Sequence, residues 1–140
     1  MASQRTVVPT RSTTIEPLLS VRRGAHAINF YVSAFSARVI MRVDAENGDV
    51  VARLTVANAT FWVADESPAH QNFSPESLAG STTRLILTVE DPLTVFDAAV
   101  AAGATVISPV AEDYGWLVGR VVDPFGHHWE IGKPVSDDAQ

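Results

Sequence analysis

The chain has 140 residues, a length that suits one domain or two half-sized modules that share a core. Hydrophobic residues make up 46% of it and charged residues 19%, an ordinary globular balance, and no apolar run reaches the roughly 18 residues that a transmembrane helix needs. The net charge of −6 argues against a nucleic-acid partner, and the absence of cysteine excludes disulfides and thiolate metal sites.

The first half of the chain predicts one strand, one helix and three further strands. The helix, at residues 24–35, places apolar side chains at the spacing of one helical face: Ala27, Phe30, Tyr31 and Ala34. The run "NGD" at 47–49 is typical of a hairpin turn. The strands are predicted at residues 14–21, 37–43, 50–57 and 60–65.

The same order of elements then starts again after residues 66–82, which have loop composition. A helix is predicted at 92–104, with Pro92 near its first turn and Gly103 at its end. A loop is predicted at 111–115. Strands are predicted at residues 83–91, 105–110, 116–123 and 127–132.

Direct comparison of the two halves supports an internal repeat of a βαβββ unit. "AFSARVI" (34–40) lies over "AAGATVI" (101–107) at an offset of 67, and "LLSV" (18–21) lies over "ILTV" (86–89) at an offset of 68. Two copies of such a length do not stack into an array. They are instead expected to form two halves of one sheet or barrel.

Two motifs carry a family resemblance. "AINFYVSAFSA" (27–37) resembles the A-x-x-F-Y-x-x-A-F-G-A run of the vicinal oxygen chelate superfamily, with Ser36 in place of the usual glycine, and "DPFGHHWEI" (123–131) resembles its D-P-F-G-H-x-W ending. That superfamily includes glyoxalase I, extradiol dioxygenases, fosfomycin-inactivating transferases and bleomycin-resistance proteins. The resemblance covers about residues 14–134 and indicates fold more specifically than activity.

The resemblance implies an α+β fold in which two βαβββ modules form a curved, cup-like mixed sheet with helices on the outside. The expected single domain spans 14–134, with modules at 14–66 and 83–134 and a linker loop at 67–82. Polar or acidic composition predicts a flexible N-terminal tail at 1–13 and a flexible C-terminus at 135–140.

Family metal ligands lie on the first and fourth strands of each module, and the resemblance places these positions on Glu16, Trp62, Arg84 and Glu130. Both repeat pairs, Glu16 with Arg84 and Trp62 with Glu130, have an offset of 68. Tryptophan offers no lone pair, and arginine stays cationic and repels a metal ion. We therefore expect no metal cofactor, and we expect Arg84 to pair with Glu16, with Glu130 or with an anionic ligand.

The run "HHWEIG" leaves an alternative open. On a strand His128 and Glu130 share one face, and Trp129 lies on the other with His127. A divalent metal held by Glu16, His128 and Glu130 is chemically conceivable. The favoured interpretation makes His128 a turn residue with local hydrogen bonds, Trp129 a core residue, and Glu130 the partner of Arg84.

Several aromatic residues are expected to line a ligand-binding site. Trp62 is expected to face the cup, Tyr114 and Trp116 to border it, and Phe73 in the long loop to cover it. Such a set clamps a flat organic ligand, and the alternative is that these rings simply fill a cup without a ligand.

The favoured hypothesis is a cytoplasmic, homodimeric, metal-free protein that sequesters or senses a small organic ligand, without nucleic-acid or membrane partners. The ligand is expected in a cup lined by Trp62, Arg84, Glu16 and Glu130. The first alternative is a metal-dependent lyase, isomerase or dioxygenase. The second is metal-free acid–base catalysis by Glu16 or Glu130, with Arg84 holding an oxyanion.

Overall fold

The computed structural model describes residues 10–136 and contains two four-stranded sheets. The first module comprises β1 (Leu18–Val21), α1 (Gly24–Phe35), β2 (Arg38–Asp44), β3 (Val50–Val56) and β4 (Ala59–Asp65). The linker contains a 3₁₀ turn (Pro68–His70) and α2 (Pro75–Leu78). The second module comprises β5 (Arg84–Thr88), α3 (Pro92–Ala102), β6 (Thr105–Asp113), β7 (Trp116–Val122) and β8 (His128–Pro134).

The strand order is the same in both modules, β1-β4-β3-β2 in one and β5-β8-β7-β6 in the other. The first strand of each sheet runs parallel to the fourth, and the other pairs are antiparallel. The predicted α+β fold of two βαβββ modules is therefore confirmed. Among residues 10–136, no helix is both long and apolar enough to span a bilayer.

The core lies between the helices and the sheet faces that they cover. Helix α1 packs against α3, and α1 has the bounds that its apolar spacing predicts. Tyr31 and Phe35 on α1 contact Trp129 of β8, with ring centroids 5.6 and 4.7 Å away, and Phe61 of β4 lies 5.6 Å from Trp129. Trp129 is a core residue, as predicted, and the two modules share one hydrophobic core.

A buried carboxylate joins the two sequence motifs. The Tyr31 hydroxyl donates to Asp123 Oδ2 at 2.5 Å, and the Trp129 indole N–H donates to the same oxygen at 3.0 Å. The backbone N–H groups of Phe125 and His127 donate to Asp123 Oδ1, each at 2.9 Å. The aspartate thereby holds the 123–127 turn closed and fixes it to α1 of the other module.

Several strand boundaries differ from the sequence prediction. Strand β1 begins at Leu18 rather than 14, directly after Pro17, whose ring removes a backbone donor. Strand β6 continues through the predicted loop to Asp113, because two register shifts between Val106 and Ala111 accommodate Pro109. Strand β5 ends at Thr88 rather than 91, and β8 continues past 132 to Pro134.

The linker is more ordered than its composition indicates. Ser74 caps α2 by accepting a hydrogen bond from Ser77 N, and Glu66 accepts hydrogen bonds from Ser74 N at 2.8 Å and from the Ser77 hydroxyl at 2.8 Å. Arg22 completes this cluster by donating to Ser77 Oγ. The flexible termini predicted at 1–13 and 135–140 lie largely outside the described residues.

Candidate functional site

Each sheet has one face covered by a helix and one open face. Side chains alternate along a strand, so buried Phe61 and Trp129 point toward the helices, whereas Trp62 and Glu130 point to the open faces. The pairing registers align one row of side chains across each open face: Leu18, Trp62, Arg53 and Met41 on the first sheet, and Ile86, Glu130, Arg120 and Ser108 on the second.

The open face of the first sheet holds the Glu16 cluster, which consists of Glu16, Arg53 and Trp62. Arg53 donates from Nε to Glu16 Oε1 at 3.1 Å and from Nη2 to Oε2 at 2.8 Å, and the Trp62 indole N–H donates to Oε1 at 2.9 Å. The Arg53 guanidinium also lies 5.6 Å from the Trp62 ring centroid. Hydrogen bonds from Arg53 and then from Trp62 stabilise the carboxylate form and lower the pKa of Glu16.

The open face of the second sheet carries the expected pair of Arg84 and Glu130. Arg84 Nε lies 3.4 Å from Glu130 Oε2, and the side chains are 58% and 27% exposed. The partner of Arg84 is therefore Glu130 and not Glu16, which lies on the other sheet and accepts hydrogen bonds from Arg53. A pair this exposed is weak by itself.

His128 lies beside Glu130 and accepts a hydrogen bond. Arg120 donates from Nε to His128 Nδ1 at 3.2 Å, which requires a lone pair on that nitrogen. Desolvation, followed by the charge of Arg120, lowers the pKa of His128. The prediction that His128 is a turn residue with a local hydrogen bond is wrong: His128 is the first residue of β8, and its hydrogen bond comes from the neighbouring strand β7.

Sequence reasoning missed Arg53 and Arg120, which occupy equivalent positions on the two open faces. Arg53 pairs with Trp62, and Arg120 pairs with Glu130, in corresponding registers. A signal was present: "VAR" at 51–53 lies over "VGR" at 118–120 with the offset of 67 already seen in the repeat.

The aromatic residues predicted to bind a ligand do not all line the same cavity. A cavity of about 260 Å³ on the open face of the second sheet, here called the β7 groove, is lined by Ile86, Asp113, Tyr114, Trp116, Val118 and Glu130. Phe73 instead lines a cavity of about 710 Å³ between β1, the linker and His127. The structure thus brings Tyr114, Trp116 and Glu130 together, places Trp62 beside Glu16, and leaves Phe73 apart from both groups.

The donors present do not fit the divalent metal that members of this fold family carry. Both oxygens of Glu16 accept from Arg53, Trp62 has no lone pair to donate, and His128 Nδ1 accepts from Arg120. Within residues 10–136 no group of three or more His, Asp or Glu side chains is arranged to hold an ion. No chemistry through a metal follows from these side chains.

Comparison with known proteins identifies the family. Residues 14–131 match the model of the Glyoxalase/Bleomycin resistance protein/Dioxygenase superfamily, and the chain belongs to that superfamily. The resemblance read from the two motifs is confirmed. A relative, the uncharacterized protein Mb0911c of Mycobacterium bovis, is 38% identical over 128 residues, which cover 88% of this chain and 84% of that protein.

Solved structures show the same fold at low identity. TioX from Micromonospora sp. ML1 has a TM-score of 0.67 at 23% identity and is matched over 87% of this chain and 99% of its own. TnmS3 from Streptomyces sp. CB03234, described as an antibiotic binding protein, has a TM-score of 0.68 at 16% identity, with 90% of this chain and 99% of that chain covered.

Proposed function

We propose that this protein binds a small organic ligand without a metal and thereby sequesters or senses it. The observation that carries the proposal is the β7 groove, in which Tyr114 and Trp116 stand beside the carboxylate of Glu130 on an otherwise open sheet face. An aromatic and apolar wall with few polar groups is the composition of a small-molecule site. The antibiotic-binding description of TnmS3 agrees with this class of function.

The proposed site includes a second copy of the chain. Glu16 and Trp62 lie on one sheet, whereas Arg84 and Glu130 lie on the other, and each pair is bonded within its own sheet. Large apolar side chains remain accessible on both open faces, including Leu18 at 53% and Ile86 at 68%. A homodimer that lays the first sheet of one copy over the second sheet of the other would enclose all four residues in one cup and cover these apolar side chains.

A titration series tests the proposal. Flat aromatic ligands are titrated into the protein by calorimetry, and dimer formation is measured by sedimentation. We expect Trp116→Ala and Trp62→Ala to weaken binding about tenfold or more, since base-sized rings stacked on an aromatic side chain gain about 1–3 kcal/mol. The control is Leu93→Ala, which removes a 55% exposed side chain of α3.

Two outcomes of this series oppose the proposal. If Trp116→Ala and Trp62→Ala leave the binding of every flat ligand unchanged, the aromatic site is wrong. If the wild-type chain sediments only as a monomer while it binds ligand, the shared cup is wrong.

Phe73→Ala decides whether Phe73 also contacts the ligand. The cytoplasmic location is part of the same proposal and is checked by cell fractionation.

A further inference from the structure

We propose that the β7 groove selects a flat cation, that is, a planar ring system that carries a positive charge and N–H donors. This inference rests on the proposed ligand-binding function and adds the chemical class of the ligand. It follows from the two carboxylates that line the groove, from the two arginines of the same face that do not line it, and from the apolar and aromatic residues of the lining.

Two carboxylates line the groove, and both have oxygen atoms that can accept a hydrogen bond from a ligand. Asp113 is exposed at the end of β6, and among residues 10–136 its carboxylate has no hydrogen bond or ion pair from another side chain. Glu130 meets Arg84 through Oε2 alone, at 3.4 Å, which is long for a charge-assisted hydrogen bond. Each carboxylate can therefore accept a further donor.

The apolar lining suits a ring next to a positive charge. Tyr114 and Trp116 line the groove, and a cation within about 6 Å of the face of such a ring is attracted by the ring quadrupole. Ile86 and Val118 add apolar surface to the same lining. The groove holds about 260 Å³, just below the roughly 300–1,000 Å³ of drug-sized pockets, so it fits one planar group with its amine.

The arginines of the same face do not make the groove an anion site. Neither Arg84 nor Arg120 lines it. Arg84 extends toward Glu130, and Arg120 directs Nε to His128 and lines a neighbouring cavity of about 340 Å³. That cavity shares Asp113, Val118 and Glu130 with the groove, but within residues 10–136 of one copy of the chain the only charged side chains that line the groove itself are the two carboxylates, Asp113 and Glu130.

Three probes of one shape and different charge test the selection. 9-Aminoacridine, acridine and anthracene-9-carboxylate share a flat three-ring body and are cationic, neutral and anionic at mildly alkaline pH. Each is titrated into the wild-type protein by calorimetry. We expect 9-aminoacridine to bind about five- to tenfold more tightly than acridine, and the anion to bind most weakly.

A matched pair of variants locates the charge effect. Asp113→Asn is expected to remove most of the preference for 9-aminoacridine over acridine while leaving acridine affinity unchanged. The control is Glu46→Gln, which loses the same charge at the equivalent position of the first module, at an offset of 67, on an exposed turn. It should leave the preference intact.

The outcomes separate this inference from the proposed function. Equal affinity for all three probes, or tighter binding of the anion, overturns the cation class and leaves an aromatic ligand site standing. A preference that survives Asp113→Asn also overturns the assignment to this groove. If the protein binds none of the three flat probes, the proposed function fails together with the inference.

Discussion

Tyr31 and Asp123 are 92 residues apart and lie in different modules, yet the Tyr31 hydroxyl donates to Asp123 Oδ2 inside the shared core. Tyr31 is fully buried, and burial, followed by the charge of Asp123, raises the pKa of the phenol well above its ordinary value. The Tyr31 hydroxyl therefore keeps its proton, and remains a hydrogen-bond donor, at pH values above the ordinary pKa of tyrosine.

Tyr31→Phe is expected to lower the free energy of unfolding by about 1–3 kcal/mol, because a buried acceptor loses one of its donors. Urea unfolding followed by circular dichroism measures the change. Tyr114→Phe removes the hydroxyl of a 96% exposed tyrosine and serves as the control, which should unfold like the wild type. Equal stability of the two variants would show that the buried hydrogen bond contributes nothing.

Gly126→Ala is expected to destabilise the fold more than Gly48→Ala. The two glycines have nearly the same backbone angle, φ +93° and +92°, but a Cβ on Gly126 would lie 2.7 Å from Pro75 Cβ, whereas a Cβ on Gly48 meets nothing within 4 Å. Gly48→Ala should therefore cost only the left-handed strain of about 1–2 kcal/mol, and Gly126→Ala that strain plus about 1–3 kcal/mol of overpacking.

The comparison of these two glycine variants in urea unfolding isolates the steric contact between the 123–127 turn and the linker. If both variants lose the same stability, the linker does not press on the turn in solution.

Acid is expected to break the Glu16 cluster only below the ordinary glutamate pKa of 4.5, because the pKa of Glu16 is lowered in the folded chain. The stabilising contribution of Glu16 is complete above the unfolded-state pKa and is lost as the pH falls through the lower folded-state pKa. Trp62 emission reports this transition, since its indole N–H donates to Glu16. Glu16→Gln should abolish it, and an unchanged acid transition in that variant would exclude Glu16 as its origin.

His128 is expected to titrate below its ordinary pKa of 6.5 in NMR spectra. Its contribution to stability is present above the unfolded-state pKa and is lost as the pH falls through the lower folded-state pKa. Arg120→Gln should raise the pKa of His128, because it removes both a like charge and the donor to neutral Nδ1. Arg38→Gln, on an exposed residue of the first sheet, should leave the His128 titration unchanged.

No divalent metal is expected to bind at micromolar concentration. The measurement is elemental analysis of protein purified without chelator or affinity metal, followed by titration with Zn, Ni, Mn and Fe. If one ion per chain binds tightly and Glu130→Gln or His128→Asn releases it, the metal-free proposal is wrong and a metal-dependent enzyme becomes the leading interpretation.

Local patterns were sufficient to predict α1, α3 and the repeat, whereas α2 was missed because its residues have loop composition. The spacing of Ala27, Tyr31 and Ala34 defines the buried face of α1, and the predicted turn at 47–49 separates β2 from β3. Pairing partners were harder to predict because they depend on register across distant strands. Glu16 and Arg84 have equivalent places in the repeat, as do Trp62 and Glu130, yet their partners differ. Arg53 pairs with Glu16, because Trp62 rather than a carboxylate lies beside Arg53 in the next strand.

The hydrogen bond from Tyr31 to Asp123 makes the two halves of the internal repeat non-interchangeable. A protein made of two like halves can in principle lose one half and survive as a pair of identical single modules. Here one half supplies the phenol and the other supplies the carboxylate, and the equivalent positions do not repeat the exchange: Ala98 stands at the position of Tyr31, offset by 67, and Val56 at that of Asp123. The halves have become complementary parts, so a homodimer of either half alone would lack one member of the bond.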